Sequence, residues 1–136
     1  MYLVDTNVIS EARKGVKANS GVQQFFRTSE AEDLYLSVQT IGEIRRGLEN
    51  IRRRGDLPQA RKLEKWLDLI LTDYGDRILD FDEECAQVWG WLMSPHHEHP
   101  IDKQIAAIAL IHDLTVVTRN IDDFRSTGTR ISNPFV

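Results

Sequence analysis

The stretch that decides the fold is MYLVDTN, residues 1–7. Met1–Val4 is a short apolar run without alternation, the pattern of a strand covered on both faces. It runs straight into Asp5, and Thr6–Ala12 can turn directly into a helix. A carboxylate at such a junction has two readings. It can cap the helix, a role worth roughly 1 kcal/mol, or it can be a functional group at the carboxyl edge of a sheet. With strand character starting at the first residue, no signal peptide is expected ahead of it.

Working outward, the rest of the chain repeats the strand-then-helix order. Residues 20–28 read as a short helix and Leu34–Leu36 as a second strand. Ser37 can cap the next helix, whose apolar stripe is Val38, Ile41, Ile44, Leu48 and Ile51. Gly55 ends it. Leu57, Ala60, Leu63, Leu67, Ile70 and Leu71 form a further helix, stopped by Gly75, so the two make a helical hairpin. Arg77–Leu79 is a weak strand and Asp82–Met93 a helix with Trp89 and Leu92 inward. SPHHEHP (94–100) is a loop. Asp102–His112 is a helix apolar nearly all round and therefore buried. Leu114–Val117 is a strand, NIDDF a turn, and Thr129–Ser132 a last edge strand. This alternation predicts an α/β fold with a parallel sheet, helices on both faces, and a site beyond the carboxyl ends of the strands.

Composition narrows the class. With 136 residues, 41% of them apolar, the chain suits one domain over 1–136. No stretch approaches the roughly 20 apolar residues of a membrane span, and the single cysteine, Cys85, suits a reducing cytoplasm and a small buried side chain. The net charge of −4 hides an uneven distribution. Between Arg45 and Lys65, eight basic and three acidic residues give +5, leaving −9 elsewhere. A basic segment on an acidic chain can bring a phosphate polymer to a carboxylate site. It can equally be a solvated surface laced with ion pairs.

Four acidic positions can reach one sheet edge: Asp5 after the first strand, Glu43 early in the helix after the second, Asp102 opening the buried helix, and Asp122 or Asp123 after the Leu114–Val117 strand, with Asn120 beside them. Singly, Asp5 and Asp102 can be helix caps, Glu43 can pair with Arg46 one turn on, and Asp122 and Asp123 can favour a turn. Together they would repel one another, and a divalent cation offsets that cost. Oxygen ligands of this kind suit Mg²⁺ or Mn²⁺, the ions of phosphoryl chemistry. Competing motifs are missing: there is no GxGxxG and no GxxxxGK[ST]. His96, His97 and His99 lack a cysteine partner and HExxH spacing, so they read as solvated loop residues, with a zinc site or a contact to RNA phosphate as the weaker readings. Trp66, Trp89 and Trp91 read as core or interface.

The residues now match a known pattern. VDTNVIS (4–10), SVQTIGEIRRG (37–47), PIDKQIAAIAL (100–110) and TRNIDDF (118–124) resemble, in order and spacing, the four motifs of the PIN-domain family, and within it the bacterial VapC toxins and their FitB-like members. The resemblance covers essentially the whole chain. It implies a three-layer α/β/α fold with a central parallel sheet and a protruding helical hairpin. It implies a toxin of a type II toxin–antitoxin system, a Mg²⁺- or Mn²⁺-dependent endoribonuclease that cuts tRNA or rRNA and inhibits translation. Asp5, Glu43 and Asp102 carry over as metal-site acids, with Asp123 as the fourth and Asn7, Asn120 and Asp122 in support. Arg45, Arg46, Arg52, Arg53 and Arg54 are the candidate RNA contacts. Implied partners are a small VapB-type antitoxin, operator DNA reached through it, and a second copy of the chain, all in the cytoplasm.

Two other classes compete. In the first, the acidic pocket receives a basic partner segment and the chain is a non-catalytic subunit of a DNA-regulating complex. In the second, the chain is a haloacid-dehalogenase-type phosphatase. That family carries DxDxT after its first strand, where this chain has Asp5-Thr6-Asn7.

Overall fold

A computed structural model describes all residues, 1–136. The strands are β1 (Tyr2–Val4), β2 (Leu34–Ser37), β3 (Ile78–Leu79), β4 (Thr115–Val117) and β5 (Ile131–Ser132). They form one sheet in the order β3-β2-β1-β4-β5, and every pairing is parallel. The main helices are α1 (Thr6–Ala12), α2 (Ser20–Thr28), α3 (Val38–Arg53), α4 (Leu57–Tyr74), α5 (Glu83–Met93), α6 (Pro100–His112) and α7 (Ile121–Phe124). No helix is long and apolar enough to cross a membrane.

Each central strand feeds two cores, because successive side chains point to opposite faces. Val4 and Val117 join Leu36, Leu48 and Leu67 in one core. Leu3 and Val116 join Ile105, Ala106 and Ile108 of α6 in the other. The unalternating run at the start of the chain thus belongs to a strand covered on both sides, as expected. The whole of Ile105–Ala109 is buried, matching the all-round apolar pattern of α6.

The order of the strands reverses direction at β1. From β1 the chain moves outward to β2 and β3, then returns to β4 on the other side and ends at β5. The crevice between β1 and β4 is therefore the switch point, where ligands bind in open α/β sheets. The register pairs Val4 with Val117, so the next residues, Asp5 and Thr118, emerge side by side at this edge.

Several strand ends differ from the sequence expectation by one or two residues, the last strand starting at Ile131 instead of Thr129, and three further differences have plain physical reasons. The weak third strand begins at Ile78, because Gly75–Arg77 closes a tight 3-10 turn first. NIDDF is a one-turn helix, Ile121–Phe124, that buries Phe124 completely. The buried helix starts at Pro100 instead of Asp102, since proline's fixed φ and missing N–H suit the first helical position. Asp102 is thus in the first turn and does not cap it. Ser37 caps α3 as read, its Oγ accepting from Thr40 N at 3.2 Å, and Asp56 caps α4, its Oδ1 accepting from Gln59 N at 3.2 Å.

Leu3 is fully buried at the centre of the sheet. Leu3→Ala is expected to cost about 2–5 kcal/mol of stability, measured by urea denaturation; a loss below about 1 kcal/mol would contradict the doubly covered strand.

Candidate metal centre

Asp5 is nearly inaccessible, 3% exposed, yet its carboxylate is well bonded. Oδ1 accepts from Thr6 N at 2.8 Å, which is the helix-cap role. Oδ2 accepts from Thr118 Oγ1 at 2.8 Å, and Asn7 Nδ2 lies 3.4 Å from it. Asp5 therefore caps α1 and also stands at the switch point. Asn7 also ties the neighbouring loop, since its Oδ1 accepts from Arg119 N at 3.1 Å.

Glu43 lies in the second turn of α3, exposed on the helix surface. Its Oε1 accepts from Thr6 Oγ1 at 2.6 Å, and this, not an ion pair with Arg46, fixes it. Thr6 Oγ1 also lies 3.0 Å from Thr40 Oγ1. Thr6 has one hydroxyl proton and a carboxylate offers none, so Thr40 is the donor in that second contact. Ser37 Oγ, 3.4 Å from Thr40 Oγ1, ends the chain of hydroxyls.

Asp102 and Asp123 come from α6 and α7, and both are half-buried. With His99 they form a group whose ligand atoms all lie within 4.8 Å of one another. His99 Nε2 is 3.3 Å from Asp123 Oδ1. Asp122 turns away: it is exposed and 3.3 Å from Arg125. Asn120 contributes its backbone, whose N–H donates to Thr118 Oγ1 at 3.0 Å.

The electrostatics show what this crowding does. Burial raises the Asp5 carboxyl above its ordinary value against the lowering hydrogen bonds from Thr118 and Thr6, and the Glu43 and Asp123 carboxylates add to the rise. Asp102 is raised to about 7, first by burial and then by the charges of Asp5 and Asp123. Four segments of chain thus bring carboxylates to one edge with no lysine or arginine ion-paired to them, His99 beside Asp123 being the one basic partner, and a divalent ion relieves such repulsion. The donor set of carboxylate oxygens fits Mg²⁺ or Mn²⁺. Asp5, Asp102 and Asp123, with Glu43 beside them, are the residues that could hold the ion.

Beside Glu43 a cleft of about 350 Å³ runs between α1 and the α3–α4 hairpin. Thr6, Asn7, Ser10 and Arg13 line one wall and Leu48, Ile51 and Trp66 the other. Trp66 lies under the Arg13 guanidinium, 5.8 Å from ring centroid to Cζ. Of the five candidate RNA-contact arginines, two are already engaged. Arg45 and Arg52 both bind Glu49 and Glu64, at 2.7–3.1 Å, and so hold α3 against α4. Arg46, Arg53 and Arg54 are exposed. Arg46 is one turn from Glu43; Arg53 and Arg54 lie near the hairpin tip, roughly 15 Å along the helix.

Sequence reasoning missed three participants. Thr118 follows β4 in the rung beside Asp5, but no spacing rule marks a lone threonine. Lys103 is 3% exposed and donates to His96 O at 2.6 Å, pinning the loop before α6. His99, read as a solvated residue, faces Asp123. Trp91, in contrast, is 75% exposed, which leaves the interface reading for it and removes the core one.

Fold and edge chemistry together define an α/β protein with an acidic centre at the switch point of a parallel sheet. Comparison with known proteins gives the family. The chain belongs to the PIN domain family, whose model matches residues 2–129. It is 35% identical to toxin FitB of Neisseria gonorrhoeae, over 99% of both chains. It is 31% identical to VapC ribonuclease Y4jK of Sinorhizobium fredii, over 99% of this chain and 98% of the relative. Among solved structures, it superposes on FitAcB from Neisseria gonorrhoeae with a TM-score of 0.87, at 34% identity and 98% coverage of both chains. FitAB bound to an IR36 DNA fragment gives 0.83 at 31% identity, covering 98% of this chain and 95% of that one.

The raised Asp102 has a signed consequence. The folded chain holds this proton at pH values where the unfolded chain has lost it, so the contribution of Asp102 to metal-free stability is present below the ordinary aspartate range and is lost as pH rises to about 7. Metal-free protein is therefore expected to melt higher at about pH 5.5 than at about pH 7.5, and Asp102→Asn is expected to raise the melting temperature at the higher pH and flatten the dependence. An unchanged profile in the variant would contradict the crowding.

Proposed function

We propose that the chain is the toxin component of a type II toxin–antitoxin system, acting as an endoribonuclease that requires Mg²⁺ or Mn²⁺. The observation that carries this reading is the meeting of Asp5, Glu43, Asp102 and Asp123 at the switch point of a PIN fold. Its likeness to a FitB toxin and a VapC ribonuclease, each over nearly the full chain, supports it.

Asp5, Asp102 and Asp123 would hold the ion, which when bound supplies an acidified water and a counter-charge for the phosphoryl oxygens. Thr118, Thr6 and Asn7 hold the Asp5 carboxylate in one orientation. Glu43, fixed by Thr6, accepts a hydrogen bond from the water that attacks phosphorus. The P–O3′ bond breaks, leaving a 3′-hydroxyl on the upstream fragment and a phosphate on the downstream one. Attack by water leaves the neighbouring 2′-hydroxyl unused. Arg46 supplies a cation to the RNA backbone one turn from Glu43. Cleavage of tRNA or rRNA would stop translation until an antitoxin covers the site. The antitoxin would bring the pair to operator DNA, a reading supported by the DNA-bound FitAB relative. Exposed Trp91 supports a homodimer, and the chain would act in the cytoplasm.

Full-length protein freed of antitoxin is expected to cut RNA with Mg²⁺ and to stop when EDTA is added. Asp5→Asn and Asp102→Asn should each slow cleavage by about 10²-fold or more, above the roughly 10–100-fold typical of outer-shell changes. Sequencing of the RNA ends should find 3′-hydroxyls. Wild-type rates in both variants would sink the mechanism.

A further inference from the structure

We infer that His99 is a nitrogen ligand to the ion at this centre and that it makes the site select Mn²⁺ over Mg²⁺. The inference rests on the metal-dependent reading above and adds to it the identity of the ion.

The geometry carries it. In an octahedral site with bonds of roughly 2.1 Å, neighbouring donors lie about 3 Å apart and opposite ones about 4.2 Å. His99 Nε2 is 3.3 Å from Asp123 Oδ1, and the ligand atoms of His99, Asp102 and Asp123 all fall within 4.8 Å. A strong ion-pair hydrogen bond would be shorter, about 2.7–2.9 Å. The His99–Asp123 separation matches neighbouring donors, and the 4.8 Å limit lies a little above the span of opposite donors, so small side-chain movements bring all three around one centre.

The chain also holds His99 where it is. The residue is in the left-handed region, with φ at 54°, a conformation uncommon outside glycine. Pro100 follows as the first residue of α6. Trp89 Nε1 donates to Pro100 O at 3.0 Å. The buried Lys103 ammonium donates to His96 O at 2.6 Å on the other side. Two buried or half-buried side chains therefore clamp the backbone on either side of the imidazole.

The chemistry of that donor sets the preference. Mg²⁺ takes oxygen ligands and keeps its waters, whereas imidazole binds first-row transition ions. Of these, Mn²⁺ also suits a set otherwise made of carboxylates. Binding would leave the ring proton on Nδ1 and direct the Nε2 lone pair to the ion.

The test is calorimetric titration of the full-length, metal-free protein with MnCl₂ and with MgCl₂, without RNA. Wild type is expected to bind Mn²⁺ at least ~10-fold more tightly than Mg²⁺. His99→Gln is expected to lose about tenfold or more in Mn²⁺ affinity while Mg²⁺ affinity moves by less than about threefold. His99→Asp is expected to bind both ions with the preference shifted toward Mg²⁺. An equal Mn²⁺ to Mg²⁺ ratio in wild type and His99→Gln would overturn the inference, leaving His99 a hydrogen-bond partner of Asp123. Unchanged binding of both ions in Asp102→Asn would instead overturn the metal centre itself.

Discussion

Parallel pairing on both sides of β1 is the constraint from which the site follows. β2 and β4 run in the same direction as β1, so all three strands deliver the chain to the same edge. Asp5 leaves β1 there, α3 with Glu43 leaves β2 there, and α7 with Asp123 leaves β4 there. Asp102 arrives from α6, which packs against β4 and approaches the edge with its first turn. An antiparallel neighbour would have sent one of these carboxylates to the opposite end of the sheet. Burial of Leu3 and Val4 in separate cores fixes the register, because a slip of one residue would turn each into the wrong layer.

The same convergence is a strain on the folded protein. Asp5 is buried and Asp102 is pushed up to about 7, so charge is concentrated where water is scarce. The chain moderates this with neutral donors, not cations. Thr118, Thr6 and Asn7 serve Asp5, and a line of hydroxyls from Ser37 through Thr40 and Thr6 serves Glu43. Threonines orient carboxylates without neutralising them, which keeps their charge for an ion. Arginines are spent elsewhere: Arg45 and Arg52 hold the hairpin together through Glu49 and Glu64.

Much of this was legible in the sequence, because the decisive features are local. An apolar run ending in aspartate, repeated strand-then-helix order and acids just after strands need no long-range information. Asp5, Glu43 and Asp102 were picked as candidates that way, as was the Asp122–Asp123 pair, from which the family resemblance singled out Asp123. What escaped depends on contacts across the chain. The Arg45–Glu64 and Arg52–Glu64 pairs exist only once α3 packs on α4. Thr118 matters because Val4 and Val117 share a rung. Lys103 sits in an apolar helix, where a buried ammonium is not expected, and its partner is a backbone carbonyl. His99 lay in a segment rich in histidine and proline, whose composition suits a solvated loop. A readable signal was Pro100, which moves the helix start two residues earlier and brings His99 next to the first turn.

The central claim is that these carboxylates hold one divalent-ion centre at the β1–β4 crevice. Anomalous diffraction from crystals grown with Mn²⁺ tests it most directly. The account predicts a Mn²⁺ peak ligated by Asp102 and Asp123, with Asp5 within reach of it. A fully ordered edge without a peak, or Mn²⁺ bound only elsewhere on the protein, would contradict it.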